Sequence, residues 1–174
     1  MANRTSASPD RARETADGVT THALLGAGIF GFGFSGLIDV LLLHHVLQWH
    51  HLVSAIYPMD TLDGLRTNIL ADGLFSIGMV VIAGVGAGVV WRAERRTDVP
   101  LATRPLAGAA IIGLGGFDLF DVLVDHTLLG LHHAVSQGGR YDPHWAVVSL
   151  LIVLAGVYIY RTGTRDASET PGEG

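Results

Sequence analysis

Four apolar stretches set the first constraint on this fold. They run from Ala23 to Leu43, from Ile69 to Trp91, from about Leu106 to Leu131, and from Trp145 to Tyr160. A spanning helix needs about 20 mainly apolar residues, with a range near 17 to 25. The first three stretches meet that length, and the fourth meets it with His144 included or in a thinner bilayer. Lipid offers no water to exposed backbone groups, so each stretch must satisfy its own hydrogen bonds as a helix. The composition agrees. Charged residues are 16% of the chain, against about 25% in soluble domains, and mean hydropathy is +0.41. The expected architecture is an all-α, integral membrane four-helix bundle over residues 23–161. Residues 1–22 and 162–174 are polar, lack periodicity and read as disordered tails.

Arginine placement predicts orientation, because basic residues accumulate on the cytoplasmic side of spans. All eleven basic residues are Arg. Nine lie in the two tails, at the end of the second span or in the loop after it, or just past the fourth span; only Arg66 and Arg140 lie between spans on the other side. Both termini are therefore expected in the cytoplasm of a multi-pass cell-membrane protein, with Trp49, Tyr57, Tyr141 and Trp145 at the outer interface. Small residues at Ala27, Gly31 and Ser35, and the pair Gly84 and Gly88, have helix-packing spacing. The absence of cysteine excludes disulfides, thiolate metal sites and covalent c-type haem. No basic patch suggests nucleic acid.

The polar residues of the apolar regions repeat. The stretch "GFGFSGLIDVLLLHHVLQWHHLVS" (31–54) aligns without gaps with "GLGGFDLFDVLVDHTLLGLHHAVS" (113–136), at an offset of 82 and with twelve of 24 positions identical. The identities include Asp39/Asp121, His44/His126, His50/His132 and His51/His133. These are the residue types a bilayer normally excludes. The chain reads as two parallel helical hairpins, about 23–93 and 104–161, related by a pseudo-two-fold axis along the membrane normal.

On a straight helix at 100° per residue, His44, Gln48 and His51 share a face, and His126 and His133 share its equivalent. Seven residues span about 10 Å, so two levels are expected. The inner level holds His44 and His126. The outer level holds His51 and His133, with Asp72 and His144 nearby; the "AGV" match at 83–85 and 155–157 aligns these last two. These four histidines are the candidate ligands of a transition metal. Asp39, Gln48, His50, Asp72, Asp121, Asp125, His132 and His144 are candidate additional ligands or residues that orient them. An Asp near the centre of a span costs roughly 2.5 to 3.5 kcal/mol on insertion scales, so several Asp residues require compensation. A metal bound by His and oriented by Asp supplies it; a hydrogen-bonded His/Asp network is the competing reading. His45 has no counterpart in the repeat.

The pieces "LLHHVLQWHH", "ADGLF" and "LVDHTLLGLHH" resemble the small four-helix integral membrane proteins known as domain of unknown function 2243, over about residues 25 to 160. The resemblance implies the fold and the membrane location and carries no activity. The family pattern implies a His directly after "DGLF", where this chain has Ser76.

Three functional readings follow. The first is a duplicated His/Asp transition-metal site opening to the outer face, in redox chemistry or metal handling. Copper is favoured there over iron or zinc, because cysteine is absent and the outer side is oxidising. The second is a b-type cytochrome with haem b between His44 and His126. The third is an ion or proton transporter, or a structural network without metal. The repeated HxxHH pattern of membrane desaturases is not met, so enzymatic activity stays open. Expected partners are the lipid bilayer, respiratory-chain or metal-delivery proteins, and a second copy of the chain.

Overall fold

A computed structural model describes residues 9–135 and 138–169. The four long helices are α1 (Pro9–Asp39), α2 (Leu62–Glu94), α3 (Thr103–Phe120) and α4 (Asp142–Glu169). No strand occurs among the described residues. The membrane-spanning lengths are Asp17–Val46, Leu62–Glu94, Thr103–Leu128 and Gly139–Asp166. The first helix begins at Pro9 and the last extends to Glu169, so both reach into the segments expected as disordered tails. The outermost parts of those tails, 1–8 and 170–174, lie outside the described residues.

The helices are not equivalent. The α1–α3 pair forms the centre, with α2 packed on α1 and α4 on α3. The apolar windows of α1 and α3 are 44% and 39% buried, those of α2 and α4 only 17% each. The outer helices therefore present most of their Leu, Ile and Val to lipid. Close approach at the centre depends on glycine. A Cβ at Gly31 would lie 1.9 Å from the Ala110 carbonyl oxygen, and one at Gly113 would lie 1.9 Å from that of Gly28. At the offset of 82, these two contacts exchange into each other. The expected ridge of Ala27, Gly31 and Ser35 faces this packing, with Ala27 and Ser35 buried. The Gly84 and Gly88 pair does not pack: neither has a neighbour within 4 Å of an added Cβ. Gly86 packs instead, against the backbone of Phe30.

The far ends of α1 and α3, opposite the termini, depart from α-helical geometry in the same way. Each widens into a π-helical segment, Val40–Val46 after α1 and Asp121–Leu128 after α3. Such segments are rare and concentrate at functional sites. Each closes with a bond of five-residue reach, Leu47 N–H to Leu42 O and Leu129 N–H to Val124 O, both 2.8 Å. Each then turns through a left-handed residue, Gln48 at φ 51° and Gly130 at φ 60°. Glycine adopts that conformation freely, whereas Gln48 does so at a cost. Beyond the turns the two segments meet, and Ala55 N–H donates to Leu131 O at 3.0 Å.

Candidate metal centre

The wide turns deliver four imidazoles to one place. His44 and His126 come from the π-helical segments, His50 and His132 from the chains just past the left-handed turns. All four are buried, with at most 3% of their surface exposed. The rings pack edge to face within each half, with centroids 4.6 Å apart for His44 and His50 and 4.5 Å for His126 and His132. His50 and His132 stack on each other at 4.7 Å.

Every Nδ1 in this set has a partner. Asp72, fully buried on α2, accepts from His44 Nδ1 at 2.8 Å. Asp142, the first residue of α4, accepts from His126 Nδ1 at 3.1 Å. His50 Nδ1 donates to Ala134 O at 3.0 Å, and His132 Nδ1 donates to Leu52 O at 3.1 Å. A carbonyl only accepts, so His50 and His132 carry their proton on Nδ1. That leaves Nε2 as a lone pair.

The four Nε2 atoms are buried and have no hydrogen-bond partner among the described residues. Carboxylates approach three of them. Asp39 Oδ2 lies 3.3 Å from His44 Nε2, Asp121 Oδ2 lies 2.9 Å from His126 Nε2, and Asp121 Oδ1 lies 3.4 Å from His132 Nε2. Despite these distances, the directions fall outside hydrogen-bond geometry. Buried polar atoms are nearly always satisfied, so four orphans converging in one place call for an explanation. Metal-ligating histidine has this arrangement: one ring nitrogen donates to a carboxylate or backbone carbonyl, and the other faces the ion. His50 lies outside the spans, and its pKa falls from 6.5 to about 3, because burial disfavours its charged form and the His132 and His44 rings add repulsion. It therefore stays neutral and able to ligate well below physiological pH.

The expected ligands separate into two groups. His44 and His126 join the inner set. His51 and His133 sit behind it, where their Nδ1 atoms donate to the second oxygens of Asp72 and Asp142 at 2.6 and 2.8 Å. Their neighbours His50 and His132 take the inward positions. The physical reason is that the helix does not continue: the π-helical widening and the left-handed residue rotate everything past position 46, so a 100° wheel misplaces it. Gln48 is exposed at the turn itself. Asp125 is buried beside Asp121. His144 is exposed and its ring contacts Tyr141. The partner that matches Asp72 is Asp142, which sequence reasoning missed. Each uses one oxygen for an inner His and a backbone N–H (Leu52 at 3.0 Å, Ala134 at 2.9 Å) and the other for an outer His. Ser76 donates to the Asp72 carbonyl at 2.8 Å, one turn below the set.

No curated protein and no solved structure matches the chain. A family model described as "predicted membrane protein (DUF2243)" matches residues 26–163. That range takes in all but the first three residues of the four apolar stretches, together with the four inward imidazoles and the carboxylates that hold them, and the chain belongs to this family.

Proposed function

We propose that this protein is a multi-pass cell-membrane protein carrying a transition-metal centre on His44, His50, His126 and His132, used in metal handling or redox chemistry. The observation that carries the reading is the set of four buried Nε2 atoms without a hydrogen bond, each on a ring whose Nδ1 already has one. Imidazole with nearby carboxylate suits copper, zinc and iron. Copper is favoured, on an outer face where no thiolate competes. The arginine distribution supports that orientation, with the termini in the cytoplasm and the centre near the outer interface. His51 and His133 lie on the outward side of Asp72 and Asp142 and orient those carboxylates rather than the ion.

The packing of the rings argues against haem. Three neighbouring pairs have centroids between 4.5 and 4.7 Å apart, which leaves no slot for a macrocycle among them. A structural or proton-conducting network is the remaining competitor, and it leaves the Nε2 lone pairs of His50 and His132 without a donor.

The deciding measurement is the metal content of detergent-purified protein by plasma mass spectrometry, for wild type and for the double variant His44→Ala, His126→Ala. Stoichiometric metal in the wild type and its loss in the variant support the centre and identify the ion. Metal-free wild type from a metal-replete host overturns the reading.

A further inference from the structure

The four imidazoles do not form one coordination sphere. With metal–nitrogen bonds of about 2.0 to 2.1 Å, the donors of a tetrahedral ion stand about 3.3 Å apart, and even opposite donors of a planar ion are only about 4.2 Å apart. Among the described residues, the inward donors compact enough to share an ion fall into two sets, His44 with His50 and His132, and Asp121 with His126 and His132. In each set the donor atoms lie within 4.8 Å of one another, and no set contains all four imidazoles. The ring spacings show the same division. Within a half the centroids are 4.6 and 4.5 Å apart, whereas His44–His132 and His50–His126 are 5.9 and 6.1 Å apart, and across the halves only the stacked His50–His132 pair comes as close, at 4.7 Å. His132 belongs to both sets but has a single free lone pair, so it can serve only one ion at a time.

The carboxylates complete the division. Asp121 stands 2.9 Å from His126 Nε2 through one oxygen and 3.4 Å from His132 Nε2 through the other. Asp39 stands 3.3 Å from His44 Nε2. These separations are edges of a coordination polyhedron, and they fall in the range that bonds of about 2.0 to 2.2 Å to N and O donors produce. Resting on the metal-centre reading above, we propose that the centre holds two divalent transition-metal ions, one on His44 and His50 with Asp39 beside His44, the other on His126, His132 and Asp121. Charge favours the same count. The carboxylates touching the four imidazoles are Asp39, Asp72, Asp121 and Asp142. Two dications offset these four negative charges, while one would leave an excess of two, to which Asp125 buried beside Asp121 could only add, in a low-dielectric setting where unpaired charge is costly. The second-half site is the more compact, because both oxygens of Asp121 face its two imidazoles.

The test is a titration of metal-free wild-type protein in detergent with Co2+, followed by its visible d–d absorption, with bound metal counted by mass spectrometry after gel filtration. The expected result is saturation at two equivalents per chain. The double variant His126→Gln, His132→Gln is expected to saturate at one, with circular dichroism confirming that it is folded. Asp121→Asn is the milder companion, expected to weaken one equivalent at least 10-fold and leave the other. Wild-type saturation at one equivalent overturns the two-ion proposal and leaves a single-ion centre standing. No binding of Co2+, Zn2+ or Cu2+ overturns both.

Discussion

Asp72→Asn is the substitution whose outcome the geometry specifies most closely. Asp72 uses Oδ1 for two donors, His44 Nδ1 at 2.8 Å and Leu52 N–H at 3.0 Å, and Oδ2 for one, His51 Nδ1 at 2.6 Å. An asparagine has one acceptor oxygen and one donor amide. The amide should turn its oxygen toward the two donors and its NH2 toward His51, whose ring then shifts its proton from Nδ1 to Nε2. His44 keeps its tautomer and its aim but loses the charge on its acceptor. The cost should sit at the low end of the range for residues supporting a metal ligand, about 10-fold in affinity. Asp72→Ala removes both oxygens, frees the His44 ring and strands buried donors, so its cost should reach about 100-fold, with a stability loss of about 1 to 3 kcal/mol per stranded group. The assay is competition against a chelator of known affinity at pH 7.5 in detergent, with gel filtration to confirm folding. Asp142→Asn should behave like Asp72→Asn, because its oxygens divide the same way between His126 with Ala134 N–H and His133. Full affinity in a folded Asp72→Ala variant would refute the argument, and so would an Asn variant as weak as the Ala variant.

Four further outcomes can be checked. Removing metal with a chelator should lower the melting temperature, since a ligand at 100 times its dissociation constant stabilises by about 2.7 kcal/mol; an unchanged melting curve counts against a resident ion. His144→Ala, His45→Ala and Gln48→Ala should retain full metal content by mass spectrometry, because all three side chains are exposed. Gly31→Ala should destabilise by about 1 to 3 kcal/mol by overpacking, as its Cβ meets the Ala110 carbonyl. Gly84→Ala, in open space, should be neutral or slightly stabilising through helix propensity, and thermal unfolding in detergent compares the two. In metal-free protein, the stability advantage of wild type over His50→Gln should shrink with acid. The His50 pKa is lowered to about 3, so its contribution is complete above its unfolded value near 6.5 and is lost as pH falls from there toward 3. A difference in melting temperature that stays flat over that window would contradict this.

The sequence made the spans and the paired polar residues legible, because hydropathy and gapless identity depend on nothing beyond local composition. It grouped His44 with His126, and the structure places both in the buried imidazole cluster, since both still lie on the helical segments. That His50 and His132, rather than His51 and His133, turn into the imidazole cluster was not legible. Those residues lie past a π-helical segment and a left-handed turn, and neither has a clear signal: Gln48 is a poor marker of a positive φ, and only Gly130 is of a residue type that favours one. Asp142 was hidden for a different reason. Asp72 sits well inside α2 while Asp142 is the first residue of α4, so two carboxylates with the same hydrogen bonds occupy different registers of their helices. An alignment keyed to the apolar "AGV" match pairs Asp72 with His144 and passes over the true counterpart.

The hydrogen bonds also explain why the two halves must act together. His50 is oriented by the carbonyl of Ala134, from the second half, and His132 by the carbonyl of Leu52, from the first. Each half therefore fixes the proton, and hence the free lone pair, of an imidazole belonging to the other. His44 and His126, by contrast, are fixed by Asp72 and Asp142, the carboxylates of their own hairpins. A hairpin alone could orient one inward histidine and would leave its second without a partner. The carboxylates impose the same requirement. Each buried Asp costs a few kcal/mol in a span, and the imidazoles that face Asp121 are His126 and His132 together. The latter is held only when the first half is in place. Assembly across the α1–α3 contact is thus what converts two sets of costly polar groups into one oriented site, and the glycine approach at Gly31 and Gly113 is part of the site even though it lies far below it.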